Sequence, residues 1–265
     1  MPAWSGVLPV FGASVVLFFL TGGGARAAEL AIVVDDVGYN LHRAERILDL
    51  PVEVTLAMLP YAPHAQLIAS RAQAAGREII LHQPMEAVAP RSPEPGTLEL
   101  AMTPERFDRQ LSASLARLPQ VTGVNNHTGS LLTARRVPMQ WLMSSIAARG
   151  LYFLDSRTTP YTVAEVTARE WSVPTIHRDV FLDNVQTEAF LSAALEHAFA
   201  IARRKGHAVI IAHPYAITVD FLEDRLSALP DDVRLATLSS LVRPAGRTTL
   251  ALLGTPGSPN ISLGQ

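Results

Sequence analysis

From residue 30 onward, short runs of β-branched and aliphatic residues alternate with stretches whose apolar positions recur every three or four residues. The runs read as buried strands and the periodic stretches as amphipathic helices. The strand candidates are Leu30–Val34, Val52–Met58, Glu78–Leu81, Val121–Asn125, Leu151–Leu154, Val173–Ile176, Ala208–Ala212 and Val233–Ala236. Phe107, Leu111, Leu115 and Leu118 form one helical stripe, opened by Thr103 and Pro104 in the N-cap and N1 roles. Leu191, Leu195, Ala198 and Ala202 form another, closed by Arg203, Arg204, Lys205 and Gly206, which suit a helix C-terminus. Regular strand-helix alternation predicts an α/β domain with a parallel sheet, either doubly wound or closed as a barrel. The Pro/Ser-rich stretch Ala89–Gly96 reads as a loop.

Polar residues with chemical potential gather where these strands end. Asp35 and Asp36 follow the first run, His82 the third, Asn126 and His127 the fourth, and Asp155 and Ser156 the fifth. His177, Arg178 and Asp179 follow the sixth and His213 the seventh. In parallel α/β folds the carboxyl ends of the strands carry the active site, so these residues predict one functional rim. Each also has a plainer role. A lone Asp after a strand caps a turn, and a lone His there is more often a hydrogen-bonded loop residue. The adjacent pair Asp35-Asp36 is harder to dismiss, because two close carboxylates need neighbouring positive charge or one must keep a proton. A divalent cation answers that need.

Composition narrows the chemistry. With 265 residues, 48% of them hydrophobic, the chain can bury one sizeable core. A net charge of -2 with scattered Lys and Arg lacks the basic footprint of a nucleic-acid binder. There are no cysteines, so any metal must be held by His, Asp or Glu. The apolar stretch Val7–Leu20, the glycines after it and Ala25-Arg26-Ala27 resemble a secretory signal peptide over residues 1–27, although no Lys or Arg precedes the apolar run. It is short for a membrane span and holds Pro9 and Gly12, so a secreted or periplasmic protein without a stable span is expected after cleavage, with an uncleaved anchor as the alternative. Residues 244–265 read as a flexible tail, leaving 28–243 as the domain.

The motifs VVDDVG, MLPYAP, EIILHQPME, GVNNHTGS, LYFLDSRTT, RDVFLDN and AVIIAHPY, in that order between about Glu29 and Leu241, resemble the divergent polysaccharide deacetylases, a branch of the NodB-like carbohydrate esterases. The resemblance implies a distorted (β/α) barrel of about seven parallel strands with a divalent metal, usually zinc, at its carboxyl rim. It further implies Asp35 as catalytic base, Asp36 and His82 as metal ligands and His213 as general acid. Ordinary members carry a second His four residues after the first, where this chain has Glu86, and their arginine-proline motif is missing at GVNNHTGS. The third ligand is then Glu86 or His127, and His127 is preferred because it needs no helix through Pro84.

A cation on Asp36, His82 and His127 would have three protein ligands and an open position, the pattern of a catalytic site. Asp35 would take the proton of the attacking water, and His213 would protonate the departing amine, oriented by Asp155 or Asp179. The substrate implied is an acetylated carbohydrate. Tyr39, Tyr61, Tyr161 and Tyr215 lie beside rim motifs where a sugar could stack. The altered third ligand and missing arginine leave a second reading, a catalytically inactive, metal-containing protein that binds an envelope carbohydrate.

Overall fold

A computed structural model describes Met1 and residues 27–89 and 94–242. The expected leader, apart from its two end residues, and the expected tail lie outside the described residues, as does the middle of the loop Ala89–Gly96.

Nine strands and eight helices alternate among the described residues. They are β1 (Ala28–Val37), α1 (Leu41–Asp49), β2 (Thr55–Met58), α2 (Ala65–Ala74), β3 (Ile79–Met85), α3 (Pro104–Arg117) and β4 (Gly123–Thr128). There follow α4 (Arg136–Ala147), β5 (Tyr152–Asp155), α5 (Ala164–Glu170), β6 (Thr175–His177), β7 (Val180–Phe181), α6 (Glu188–Lys205) and β8 (His207–Ala212). The chain closes with α7 (Ala216–Arg225), β9 (Val233–Leu235) and α8 (Leu238–Leu241). All pairings are parallel, in the order β6-β5-β4-β3-β2-β1-β8-β7, with β9 also on β1. The sheet is an open, distorted barrel: its two outer strands, β6 and β7, are consecutive in the chain, linked by Arg178 and Asp179, yet do not pair with each other. The strand count is nine, against eight runs read from the sequence and the roughly seven that the resemblance implies. The run that escaped notice, β7, is two residues long and too short to show any period.

The helices form for legible reasons. Thr103 caps α3 through its side chain, with Pro at the start, and the stripe Phe107, Leu111, Leu115 faces the core. Thr187 caps α6, and Gly206 ends it in the left-handed conformation that a glycine adopts without strain.

Strand alternation divides the core into two layers. Leu30, Ile32 and Val34 of β1 face outward and join the helices, while Ala31 and Val33 face the barrel interior with Ala57, Ile80, Tyr152, Leu154, Ile176, Val209 and Ile211. Leu238 and Leu241 of α8 close the interior at the amino ends of the strands. Gly123 is required there, since a Cβ would lie 2.5 Å from the Tyr152 ring. No helix among the described residues is long and apolar enough to cross a membrane.

Candidate functional site

The interior rows continue, two residues at a time, into the polar rim. Ala31 and Val33 lead to Asp35, Ile80 to His82, Gly123 to Asn125 and His127, and Val209 and Ile211 to His213. The rim residues therefore belong to the strands or follow them directly: β1, β3 and β4 run on through Asp35-Asp36, His82 and Asn126-His127 instead of stopping before them. Pairing of β3 with β4 extends from Ile80-Gly123 to Met85-Thr128, which keeps the polar ends in the sheet.

Asp36 breaks the alternation. A regular strand would turn it outward, away from Asp35. Its backbone has φ 55, and the register with β2 shifts between Val34 and Val37. That left-handed kink brings both carboxylates toward His82: its Nε2 lies 3.2 Å from Asp36 Oδ1 and 3.6 Å from Asp35 Oδ2. Non-glycine residues in this conformation cost of order 1–3 kcal/mol and concentrate at functional sites.

Three ligand atoms form a small triangle. Asp36 Oδ1 is 2.9 Å from His127 Nδ1 and 3.2 Å from His82 Nε2, and the two nitrogens are 3.0 Å apart. The outer nitrogens fix the tautomers. His82 Nδ1 lies 2.8 Å from Asn125 Oδ1, so it carries the proton, and His127 Nε2 lies 3.2 Å from Glu94 Oε1 with the same consequence. Three lone pairs then converge on one point, and the buried Asp36 Oδ1 has no hydrogen-bond donor. Two imidazoles and a carboxylate, each imidazole anchored from behind by an oxygen acceptor, fit a divalent cation of the zinc type. Glu86 is not part of this set: its carboxylate accepts from Leu100 N at 2.7 Å.

Burial lowers the His82 pKa, but Asp35 and Asp36 outweigh it and carry it up to about 9. Burial works the other way on Asp36, but the adjoining His127 and His82 rings, when they carry a second proton, outweigh it and hold its carboxyl well below the usual range. Asp35 differs. Burial dominates and raises it, and its direct partner is neutral, the Asn125 amide at 2.9 Å.

His213 completes the rim. Asp183 Oδ1 lies 2.9 Å from its Nδ1, while Asp183 Oδ2 accepts from His213 N at 2.6 Å and from Thr218 Oγ1 at 3.0 Å. Burial pulls the His213 pKa down, but Asp183 more than offsets it and the net shift is upward. The ring packs against Phe181 and Tyr215. A cavity of about 150 Å³ links Asp36 and His213 past Tyr39 and Tyr215.

Neither aspartate expected to orient His213 does so. Asp155 shares the outward parity of Phe153, and it accepts from Arg157 N at 2.9 Å and Thr162 Oγ1 at 3.0 Å. Asp179 is engaged with Lys205 and Val209 N. Asp183, inside the RDVFLDN motif, holds the ring instead, and Asn125 is the second residue whose role sequence reasoning missed. Its place two residues after Gly123 was the available signal.

The family model described as divergent polysaccharide deacetylase matches residues 32–242. The chain belongs to this family. Its relatives include the uncharacterized protein YibQ of Escherichia coli, 37% identical over 216 residues, which are 82% of this chain and 68% of YibQ. Among solved structures, the uncharacterized protein ATU2773 from Agrobacterium tumefaciens matches with a TM-score of 0.78 at 30% identity, over 83% of this chain and 91% of that one. A mutant form of the peptidoglycan deacetylase PdaC from Bacillus subtilis shares the fold, with a TM-score of 0.50 at 12% identity over 81% of this chain and 89% of that one. As a member of the divergent polysaccharide deacetylase family, the chain shares the parallel barrel seen in PdaC and presents Asn125 to Asp35.

Proposed function

We propose that the protein is a metal-dependent deacetylase that removes N- or O-acetyl groups from an envelope carbohydrate. The observation that carries this reading is the convergence of Asp36 Oδ1, His82 Nε2 and His127 Nδ1 to within 3.2 Å of one another, with Asp35 beside them. His213 stands on the same interior rim, close enough that its charge draws the Asp35 pKa down against the larger rise that burial causes.

When bound to those three atoms, a zinc-type cation supplies Lewis acidity that polarises an acyl carbonyl and makes water acidic enough to ionise near neutral pH. The chain supplies the proton transfers. Asp35, raised by burial and fixed by Asn125, accepts a proton from the attacking water. His213, with Nδ1-H directed at Asp183, is favoured in its protonated form and can give the Nε2 proton to the departing nitrogen or oxygen. Tyr39 and Tyr215 border the intervening cavity with exposed rings on which a sugar can lie. The domain then spans 28–243, supported by the family match, and the leader-like segment 1–27 supports export to the periplasm or beyond.

The test is acetate release from N-acetylated chitooligosaccharides and peptidoglycan fragments. Zinc-loaded protein should release acetate, chelation should stop it and zinc should restore it. Asp35→Asn should lower the rate by about 10²-fold or more while zinc still binds. A second reading, an inactive carbohydrate-binding protein, is favoured by the neutral partner of Asp35. Glycan binding by the zinc-loaded protein without any acetate release would decide for it.

A further inference from the structure

A wide cleft near the rim lies outside the barrel interior. It has a volume of about 810 Å³, within the range of small-molecule sites, and is bounded by the ends of β5 and β6 and by α5. Three guanidinium groups line it, those of Arg157, Arg169 and Arg178, with the carboxylates of Glu165 and Asp155. Three cations against two carboxylates leave a surplus of one positive charge, on a chain whose net charge is -2.

Glu165 organises the cluster. Its Oε2 accepts from Arg157 at 2.8 Å and lies 2.9 Å from His177 Nδ1, while its Oε1 pairs with Arg169. Asp155 is occupied by Arg157 N and Thr162. Arg178 donates to the carbonyls of Ser156 and Arg157, at 2.7 and 2.8 Å. Most N-H groups of the three guanidiniums have no other acceptor among the described residues. Tethered forks with donors to spare, beside two carboxylates that are both engaged, can receive an outside anion.

Two connections tie the cleft to the proposed reaction centre. Ser156 accepts from Arg178 Nε at its carbonyl and from Asn125 Nδ2 at its hydroxyl oxygen, and Asn125 is the residue that holds both Asp35 and His82. The Arg178 guanidinium lies 3.7 Å from the centroid of the Phe181 ring, and Phe181 stacks on His213.

We propose that this cleft is a subsite for a carboxylate carried by the glycan, so that an acidic sugar neighbours the acetylated one. A monoanion matches the single surplus charge, whereas a dianionic phosphate would exceed it. The proposal rests on the deacetylase reading for its location in the substrate, but its binding test does not depend on turnover.

The probes are a tetrasaccharide of alternating N-acetylglucosamine and N-acetylmuramic acid, the same compound with its lactyl carboxylates methyl-esterified, and chitotetraose. Calorimetric titration of the zinc-loaded full chain should show the free acid binding about tenfold more tightly than the ester, a preference that shrinks with salt. The double variant Arg157→Gln, Arg169→Gln should lose that preference and keep its affinity for chitotetraose. Equal binding of acid and ester, persistence of the preference in the double variant, or no binding of any probe would overturn the subsite. Acetate release measured on the same samples separates the two ideas. Release without a carboxylate preference removes the subsite alone, and a preference without release removes the deacetylase reading alone.

Discussion

Asp35 sits in the barrel with an amide for a neighbour, and that choice sets its chemistry. A guanidinium would pull its pKa down, whereas Asn125 fixes the carboxylate and leaves burial to raise it. The same amide anchors His82, so one side chain positions both the proposed base and a proposed metal ligand. Asn125→Ala should weaken zinc binding by about 10- to 100-fold and lower acetate release as well. Equilibrium dialysis with a competing chelator would show it, and unchanged zinc affinity would mean that His82 is held by its ring packing alone. His82 also makes a pH prediction. Its folded pKa of about 9 lies above the ~6.5 of an unfolded histidine, so metal-free protein gains stability that is complete below about pH 6.5 and disappears as pH rises through 9. Zinc competes with that proton, so its stabilising increment must grow over the same interval. Melting curves with EDTA and with zinc at several pH values test both halves. A His82→Gln variant should lose this part of the slope.

At the scale of the element, what decides the site is how each strand ends. Asp36, Thr128 and Arg157 adopt φ values of 55, 53 and 48 at the ends of β1 and β4 and just beyond β5. Alternation alone was enough to foresee much of the rim: counting by twos from Ala31, Ile80 and Val209 reaches Asp35, His82 and His213. It also explains why Asp155, beside an outward Phe153, is not at His213. Counting could not foresee Asp36, because its direction is set by a left-handed kink and pairing shift that leave no trace in hydrophobicity. Nor could it find Asp183, which follows a strand of two residues. The kink leads into Gly38, whose φ is 125 and where a Cβ would stand 2.8 Å from Ala62 Cβ. Gly38→Ala should therefore cost about 1–3 kcal/mol in urea unfolding and loosen zinc binding by displacing Asp36. A variant as stable and as tight as the parent would show that the turn relaxes freely.

Taken as one molecule, the barrel separates function from support along its axis. At the end opposite the rim, Glu78 accepts from Tyr152 Oη at 2.9 Å, Thr55 Oγ1 at 3.0 Å, Thr122 Oγ1 at 3.2 Å and Ser239 N at 3.1 Å. This cluster ties β2, β3 and β5 to the start of α8 and closes the interior. Glu78→Leu should destabilise by about 1–3 kcal/mol, because buried hydroxyls lose their acceptor, while zinc affinity and acetate release per folded molecule stay unchanged. Loss of zinc binding in that variant would contradict the division. The place of β1 in the sheet has a further consequence, one of timing. The strand bearing Asp35 and Asp36 is made first, yet it lies between β2 and the late strands β8 and β9, pairing Glu29 with His207 and Arg234. Contacts of such long sequence separation form slowly. On the ribosome, the paired acids leave the tunnel with one flank of their strand bare, and that flank stays bare until nearly the whole domain has been synthesised.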